Sequence, residues 1–177
     1  MKKIAFISGM TGQDGPYLAK YLLEKDYKVY GLVKRYSNPN FSNLDYLGIE
    51  NDVDLITGDI TDDANMNHLV RSIRPHEFYN LAAQSFVGSS WDLNKQTTEV
   101  NAMGVLNILN AIVNQNPQTR FYQASTSELY GNANDEGIQN EKTPFHPRSP
   151  YGISKLCSYW MTVNFRESYS VHASNGI

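Results

Sequence analysis

The sequence has a single cysteine, Cys157, and no extended run of apolar residues. One cysteine excludes an intrachain disulfide, so we expect a reducing, cytoplasmic setting. The opening Met1-Lys2-Lys3 and the apolar residues 4–7 have the look of a signal peptide, but the apolar stretch stops at Ser8-Gly9. No segment approaches the ~20 apolar residues that a membrane-spanning helix needs, and we therefore expect no membrane partner.

Clustered basic residues and metal-ligand spacings are also missing. The chain carries a net charge of −3 with a pI near 5.8, and its lysines and arginines are scattered. This charge pattern provides no basic face, so we expect no nucleic-acid partner. A structural metal is not expected either, because the spacing of metal ligands is absent among the four histidines, His68, His76, His146 and His172.

Short β-branched or aromatic runs alternate with longer helical segments along the whole chain. This alternation predicts an α/β fold, a doubly wound parallel sheet with crossover helices. A length of 177 residues favours one domain. Strands are predicted at residues 3–8, 27–33, 53–57, 76–81, 119–124 and 171–176. Helices are predicted at residues 13–25, 41–47, 62–73, 97–115 and 151–169, and a long aperiodic loop at 131–150.

The segment Gly9-Met10-Thr11-Gly12-Gln13-Asp14-Gly15 lies between the first predicted strand and helix. The glycine spacing alone is weak evidence, because twelve glycines can produce it by chance. Its place between a buried strand and a helix favours a phosphate-binding turn, with the backbone N–H groups near Gly12 and Gln13 pointing at an anion. In such a turn Gly9 permits the tight bend, Gly12 the approach of a pyrophosphate and Gly15 close helix packing. The alternative is an ordinary strand-to-helix turn.

The ends of the next strands border the same crevice in a dinucleotide-binding Rossmann domain. The second strand ends in Leu32-Val33-Lys34-Arg35, two cations without a carboxylate, which favours the 2'-phosphate of NADP over NAD, with Arg35 as its partner. A solvated basic turn is the alternative. Asp59-Ile60 and Leu81-Ala82-Ala83-Gln84-Ser85 follow the third and fourth strands. Asp59 is equally consistent with an adenine contact and with a turn residue.

Tyr-x-x-x-Lys occurs three times, at Tyr21/Lys25, Tyr30/Lys34 and Tyr151/Lys155. Only the third pair follows a loop that leaves the carboxyl side of the fifth strand, where it can face a cofactor. There we expect the Lys155 ammonium to favour the phenolate of Tyr151, which would take the proton of a substrate hydroxyl. An exposed helical pair is the alternative.

Ser125-Thr126-Ser127-Glu128 directly follows the fifth strand and reaches the same crevice. A hydroxyl at this place can bind the oxygen that is oxidised, although serine and threonine are common turn residues. Glu128 is informative because removing a proton from the carbon beside a new ketone needs a base, which simple alcohol oxidation does not. A solvated residue in the first turn of a helix is its alternative role.

These residues together resemble the extended short-chain dehydrogenase/reductase family, and within it the nucleotide-sugar 4,6-dehydratases that act on GDP-mannose. The resemblance covers essentially the whole chain. It is carried by the glycine turn and by four further segments, Asn80-Leu81-Ala82-Ala83-Gln84-Ser85, residues 123–131, Pro147-Arg148-Ser149-Pro150-Tyr151-Gly152 and Asn164-Phe165-Arg166-Glu167.

The resemblance implies that Thr126, Glu128, Tyr151 and Lys155 are catalytic, and that Lys155 also binds NADP. It implies one NADP-binding Rossmann domain at residues 1–177, truncated at its C-terminal end, because the family continues into a substrate domain that is largely absent here. We also expect a homo-oligomer. A departure is Gln96, where the family commonly has an aromatic residue. A related epimerase or reductase, and a non-catalytic cofactor-binding or oligomer-forming fragment, stay open as alternatives.

Overall fold

Six parallel strands form one sheet in the computed structural model, which describes residues 2–35, 40–131 and 137–177. The strand order is β3-β2-β1-β4-β5-β6, the order of a doubly wound Rossmann sheet. The predicted fold class is therefore confirmed. The strands are β1 (Ile4–Ser8), β2 (Lys28–Val33), β3 (Asp54–Thr57), β4 (Glu77–Asn80), β5 (Arg120–Ala124) and β6 (Ala173–Gly176).

The helices connect the strands and cover both faces of the sheet. They are α1 (Asp14–Glu24), α2 (Ser42–Tyr46), α3 (Asp63–Ile73), α4 (Asn94–Thr98), α5 (Gly104–Gln115) and α6 (Pro150–Tyr169). The helix predicted at 97–115 is helical throughout, but it begins earlier, at Asn94, and a π-helical stretch, Glu99–Met103, separates α4 from α5. The loop predicted at 131–150 lies partly outside the described residues. Within the described ranges, no helix is long and apolar enough to cross a membrane.

Alternating strand residues supply two hydrophobic cores, one on each face of the sheet. On one face, Phe6, Phe78 and Phe121 are aligned across β1, β4 and β5, with ring centroids 4.8 and 6.1 Å apart, and pack under α3, α5 and α6. On the other face, Ile7 and its neighbours pack under α1 and α2. Burial on both faces is what a parallel sheet requires.

The strand order reverses between β1 and β4, and the chain leaves the carboxyl ends of these two strands in opposite directions. A crevice opens at such a point. Gly9 follows β1 with φ at +77°, and a Cβ there would lie 2.8 Å from the backbone of Ala82 after β4. Glycine at this position therefore serves both the left-handed turn and the close approach of the two loops.

Gly15 lets the first turn of α1 close onto the glycine turn. A Cβ at Gly15 would lie 2.7 Å from the Gly9 carbonyl oxygen and 2.9 Å from the Met10 Cα. Both neighbours are backbone atoms, which cannot move aside as a side chain can. The close packing expected of Gly15 is thus against the turn itself.

Replacing Gly15 with alanine tests this packing. The added methyl group must displace the turn backbone, so we expect the free energy of unfolding to fall by about 2 kcal/mol. Urea denaturation monitored by circular dichroism measures this loss, with Lys20→Ala on the exposed face of α1 as the matched control. An alanine variant as stable as the native chain would show that the turn has room for the side chain.

Candidate active site

A cavity of about 590 Å³ lies at the carboxyl ends of β1 to β4, where the strand order reverses. Residues predicted to bind the cofactor make up most of its wall; those that line it are Gly9, Thr11, Gly12, Gln13, Asp14, Gly15, Asp59, Ile60, Leu81, Ala82, Ala83 and Ser85. Leu32, Lys34, Gly58, Gln84, Gln96 and Val100 complete the lining. Two predicted cofactor residues, Arg35 and Lys155, lie outside this wall.

The glycine turn presents the start of α1 to the cavity. The Gly12 amide donates to the Gly9 carbonyl at 3.0 Å, which closes the turn, and Gln13 makes no side-chain capping bond to the helix. The first N–H groups of a helix lack intrahelical acceptors, so this helix end fits an anion such as a pyrophosphate. The Asn43 amide of α2 donates to the Gly12 carbonyl at 2.9 Å, a support that local sequence patterns did not reveal.

An ion pair between Lys34 and Asp59 marks the far end of the cavity. The Lys34 Nζ lies 3.0 Å from the Asp59 carboxylate, which also accepts hydrogen bonds from the Thr61 amide and hydroxyl at 3.0 and 2.8 Å. Burial raises the pKa of Asp59, but the bonds from Thr61 and Lys34 outweigh it and leave that pKa lowered. Asp59 thus organises the turn after β3 while facing the cavity.

Arg35 is exposed beside this ion pair. Among the described residues, the four recorded ion pairs do not include Arg35. Of the two adjacent cations Lys34 and Arg35, Lys34 lines the cavity and Arg35 does not. The two cations therefore differ, because Lys34 is paired with a carboxylate and Arg35 is exposed to solvent.

The four predicted catalytic residues come together from two elements. Thr126 and Glu128 lie at a short 3-10 turn after β5, where the Thr126 hydroxyl accepts from the Glu128 amide at 3.2 Å. Tyr151 and Lys155 lie on α6, which begins where the Ser149 hydroxyl accepts from the Gly152 amide at 3.0 Å. This cap with Pro150 fixes the helix start, and so directs Tyr151 toward the turn after β5.

The phenol of Tyr151 lies near the Thr126 hydroxyl and the Glu128 carboxylate. Burial raises the pKa of Tyr151, the polar contact with Thr126 lowers it and the Glu128 charge raises it further, with a raised pKa as the result. We expected Lys155 to lower this pKa. The structure differs, because the Lys155 Nζ lies 5.9 Å from the ring centroid and donates instead to the Ala124 carbonyl at 2.9 Å.

Lys155 is almost fully buried, with 3% of its surface exposed. Its burial lowers its pKa from 10.5 to about 8. The nearest acceptor that holds the ammonium is a neutral carbonyl rather than a carboxylate. A charged lysine in such a place costs stability, and perturbed groups of this kind are concentrated in functional sites.

Asn101 joins the loop after β4 to the catalytic helix. Its side-chain oxygen accepts from the Gln84 amide at 2.8 Å, while its Nδ2 donates to the Gln84 carbonyl and to the Ser154 hydroxyl, each at 3.1 Å. Asn101 lies in the π-helical stretch, a distortion that is common at functional sites. Sequence reasoning missed this residue, and a polar side chain within an otherwise apolar helical face was the available signal.

Two further observations bear on what the site can hold. The Ser125 hydroxyl oxygen is buried without a hydrogen-bond partner among the described residues, next to the Thr126–Tyr151 pair. A buried polar atom of this kind fits contact with a bound polar group. Within the described part of the chain, no cluster of histidine, cysteine, aspartate and glutamate could hold a metal ion.

Similar proteins were found by family and by structure. A family model described as GDP-mannose 4,6 dehydratase matches residues 6–177. The GDP-mannose 4,6-dehydratase of Yersinia enterocolitica is 50% identical over 184 residues, which cover 100% of this chain and 49% of that protein. The GDP-mannose 4,6 dehydratase of Homo sapiens is 46% identical over 187 residues, covering 99% of this chain and 49% of that protein. The chain therefore spans about half the length of these curated relatives.

Solved structures agree on the fold. The UDP-glucose 4-epimerase of Thermotoga maritima superposes with a TM-score of 0.84 at 25% identity, covering 95% of this chain and 52% of that one. The dTDP-glucose 4,6-dehydratase of Streptomyces venezuelae, solved with NAD bound, superposes with a TM-score of 0.83 at 26% identity, covering 95% of this chain and 53% of that one. With the family model matching nearly its whole length, the chain belongs to the GDP-mannose 4,6-dehydratase family.

Proposed function

We propose that this protein is a nucleotide-sugar 4,6-dehydratase that converts GDP-mannose to GDP-4-dehydro-6-deoxy-D-mannose, using NADP. The carrying observation is that Thr126 and Glu128 lie in the turn after β5, close to Tyr151 at the start of α6, so that a hydroxyl, a carboxylate and a phenol are neighbours just outside the wall of the cavity. Family membership supports the assignment. A homo-oligomer and a cytoplasmic setting stay predictions.

The wall of the cavity suits a dinucleotide, with the glycine turn for its pyrophosphate and Lys34 and Asp59 at its adenosine end, next to Arg35 in the sequence. NADP, when bound, supplies a hydride acceptor for the sugar C4 and a hydride donor for C6. Because Lys34 is paired with Asp59, and no ion pair among the described residues includes Arg35, we assign the 2'-phosphate to Arg35. This argument favours NADP over NAD.

Tyr151 takes the proton of the C4 hydroxyl in the proposed reaction, and Thr126 binds the same oxygen. The raised pKa of Tyr151 makes it a strong base once it is deprotonated. Its phenolate would be favoured by Thr126 and by the positive charge of an oxidised nicotinamide. Lys155 is held by the Ala124 carbonyl, 5.9 Å from the centre of the Tyr151 ring.

Glu128 removes the C5 proton, which the C4 ketone acidifies, and then helps the C6 hydroxyl leave as water. Glu128 lies in the turn after β5, and the pKa of Tyr151 responds to its charge. An epimerase that only oxidises and reduces C4 needs no such base. Glu128 therefore favours dehydration over epimerisation.

Lys155 gives a prediction about pH and stability. Its pKa is about 8 in the folded chain and 10.5 when unperturbed, so the folded state carries a costly charge at pH 7 and loses it first as the pH rises. Lys155→Met should therefore stabilise the chain at pH 7 by about 1 to 3 kcal/mol, and the gain should disappear between pH 8 and pH 10.5. Urea unfolding across this range measures it.

The matched control for that titration is Lys20→Met, which replaces an exposed lysine on α1. It should leave the pH dependence of unfolding as it is in the native chain. A Lys155→Met variant that is less stable than the native chain at pH 7 would contradict the buried-charge explanation.

Glu128→Gln tests the dehydration step. The amide cannot accept the C5 proton, so we expect formation of the 4-keto product from GDP-mannose to slow by at least ~100-fold while NADP binding is unchanged. Chromatography of the nucleotide sugars measures the product, and Glu50→Gln, an exposed glutamate far from the site, is the control. Undiminished product would remove Glu128 from the mechanism. No turnover by the native chain, together with clear NADP binding, would favour the non-catalytic cofactor-binding role.

Arg35→Ala tests the choice of cofactor. The native chain should bind NADP at least about tenfold more tightly than NAD, roughly 1.4 kcal/mol, and the variant should lose this difference with its NAD affinity unchanged. Titration calorimetry measures both affinities, and Arg71→Ala, which removes an exposed cation from α3, controls for net charge. Equal native affinities for the two cofactors would refute the assignment of NADP.

A further inference from the structure

Three buried polar side chains form a row across the centre of the sheet. Ser8 of β1 is in register with Asn80 of β4, and Asn80 with Gln123 of β5. The row lies two residues beyond the aligned phenylalanines, on the same face of the sheet. Exposure is 0% for Ser8, 0% for Asn80 and 1% for Gln123. These are core positions that apolar side chains usually occupy.

The row is hydrogen-bonded head to tail in a single direction. The Ser8 hydroxyl donates to the Asn80 side-chain oxygen at 2.5 Å, and the Asn80 Nδ2 donates to the Gln123 side-chain oxygen at 2.7 Å. The Gln123 Nε2 then donates to the Ala124 carbonyl at 2.9 Å. The bonds therefore run from the residue before the glycine turn toward the catalytic end of β5.

The row ends on the same carbonyl that holds the catalytic lysine. The Ala124 oxygen accepts from the Lys155 Nζ at 2.9 Å and from Gln123 at the same distance, so both of its lone pairs are used. The Gln123 amide and the Lys155 ammonium therefore donate to the same neutral acceptor, the Ala124 carbonyl, and lie side by side. Around the ammonium, Tyr151 is the titratable group within reach on α6, and Glu128 reaches that tyrosine from the turn after β5.

The stability of the fold does not require polar side chains at these three positions. An apolar row of similar volume would avoid the desolvation of several buried amide and hydroxyl groups, and replacing all partners of a buried network is often neutral for stability. A fully bonded row, in contrast, fixes the orientation of each amide and polarises its neighbours. Such an arrangement is useful where a dipole must be held beside a charge.

We propose that Asn80 and Gln123 are positioning residues for Lys155. Ser8 and Asn80 hold the Gln123 amide, and that amide keeps the Ala124 carbonyl and the ammonium beneath Tyr151 in one geometry. Neither residue touches the reacting atoms in this role. The inference rests on the proposed function only for the importance of Lys155, since the contacts themselves do not depend on the reaction.

The triple variant Ser8→Ala, Asn80→Leu, Gln123→Leu removes the row without leaving any of its members unpaired. We expect it to fold with nearly native stability, because every polar partner in the row is replaced together. The pKa of Lys155 should nevertheless rise by ~1 unit, because the row directs the N–H end of the Gln123 amide at the carbonyl that the ammonium also uses, and the triple variant leaves that carbonyl to the ammonium alone. Titration of ¹³C-labelled lysine side chains by NMR measures this pKa, with the Lys155 signal assigned by its loss in Lys155→Arg.

A second buried polar cluster provides the matched control. The Asn116 amide donates to the Pro75 carbonyl and to the Thr119 hydroxyl at the opposite end of the sheet. The double variant Asn116→Leu, Thr119→Val should lower stability and leave the pKa of Lys155 unchanged. A general loss of packing would shift both variants alike and would overturn the proposal.

An unchanged Lys155 pKa in the triple variant would also overturn it. Should the triple variant fail to fold, Gln123→Met carries the test, because it keeps the side-chain length and removes only the terminal amide; an unchanged pKa there is equally decisive. The titration uses no sugar substrate. Failure of the positioning role can therefore be told apart from failure of the proposed dehydration, which is measured by product formation.

Discussion

The parallel pairing of β1 with β4 is the constraint on which the site depends. It joins residues about seventy positions apart along the chain, from Ala5 with Glu77 to Ser8 with Asn80, and the Leu81 amide extends the ladder to the Ser8 carbonyl at 3.1 Å. Because the two strands end side by side and their loops diverge, the glycine turn meets the segment after β4 and a cavity opens between them. The same register aligns the polar row beneath that cavity. Without this pairing, the individual motifs would not share a site.

Buried polar groups surround the predicted catalytic residues, where a purely structural core would be apolar. Lys155 is buried against a neutral carbonyl, and Asn101 bridges Gln84 and Ser154 between two helical segments. These groups are acceptable because nearly every polar atom has a partner, which limits the desolvation cost. Their benefit is geometric, since these contacts fix the elements that carry the predicted catalytic side chains. In the proposed function, stability is given up at Lys155 so that a charge is kept beside Tyr151.

Local patterns predicted much of this molecule. The strands, the glycine turn and the helix carrying Tyr151 and Lys155 were anticipated because hydrophobic alternation, glycine spacing and helical periodicity are properties of short segments. The residues that hold the site in place were not anticipated. Asn43, Asn101 and Gln123 acquire their contacts from strand register and from helix packing between residues distant in the sequence. The expected lowering of the Tyr151 pKa by Lys155 also failed for this reason. Helical spacing brought the two side chains close together, but it could not reveal that the Ala124 carbonyl would take the ammonium.

The ion pair between Lys34 and Asp59, at the predicted adenosine end of the cavity, changes the interpretation of the Lys34-Arg35 motif. Lys34 and Arg35 are adjacent cations, and charge counting alone treats them as equals. Asp59, brought alongside by the pairing of β2 with β3, neutralises Lys34 and gives that side chain a structural task at the cavity wall. The pair is partly exposed and therefore contributes little to stability. In the proposed binding of NADP its larger effect is on recognition, because it pairs Lys34 with a carboxylate and leaves the 2'-phosphate to the neighbouring guanidinium of Arg35, which is suited to bidentate contact with phosphate oxygens.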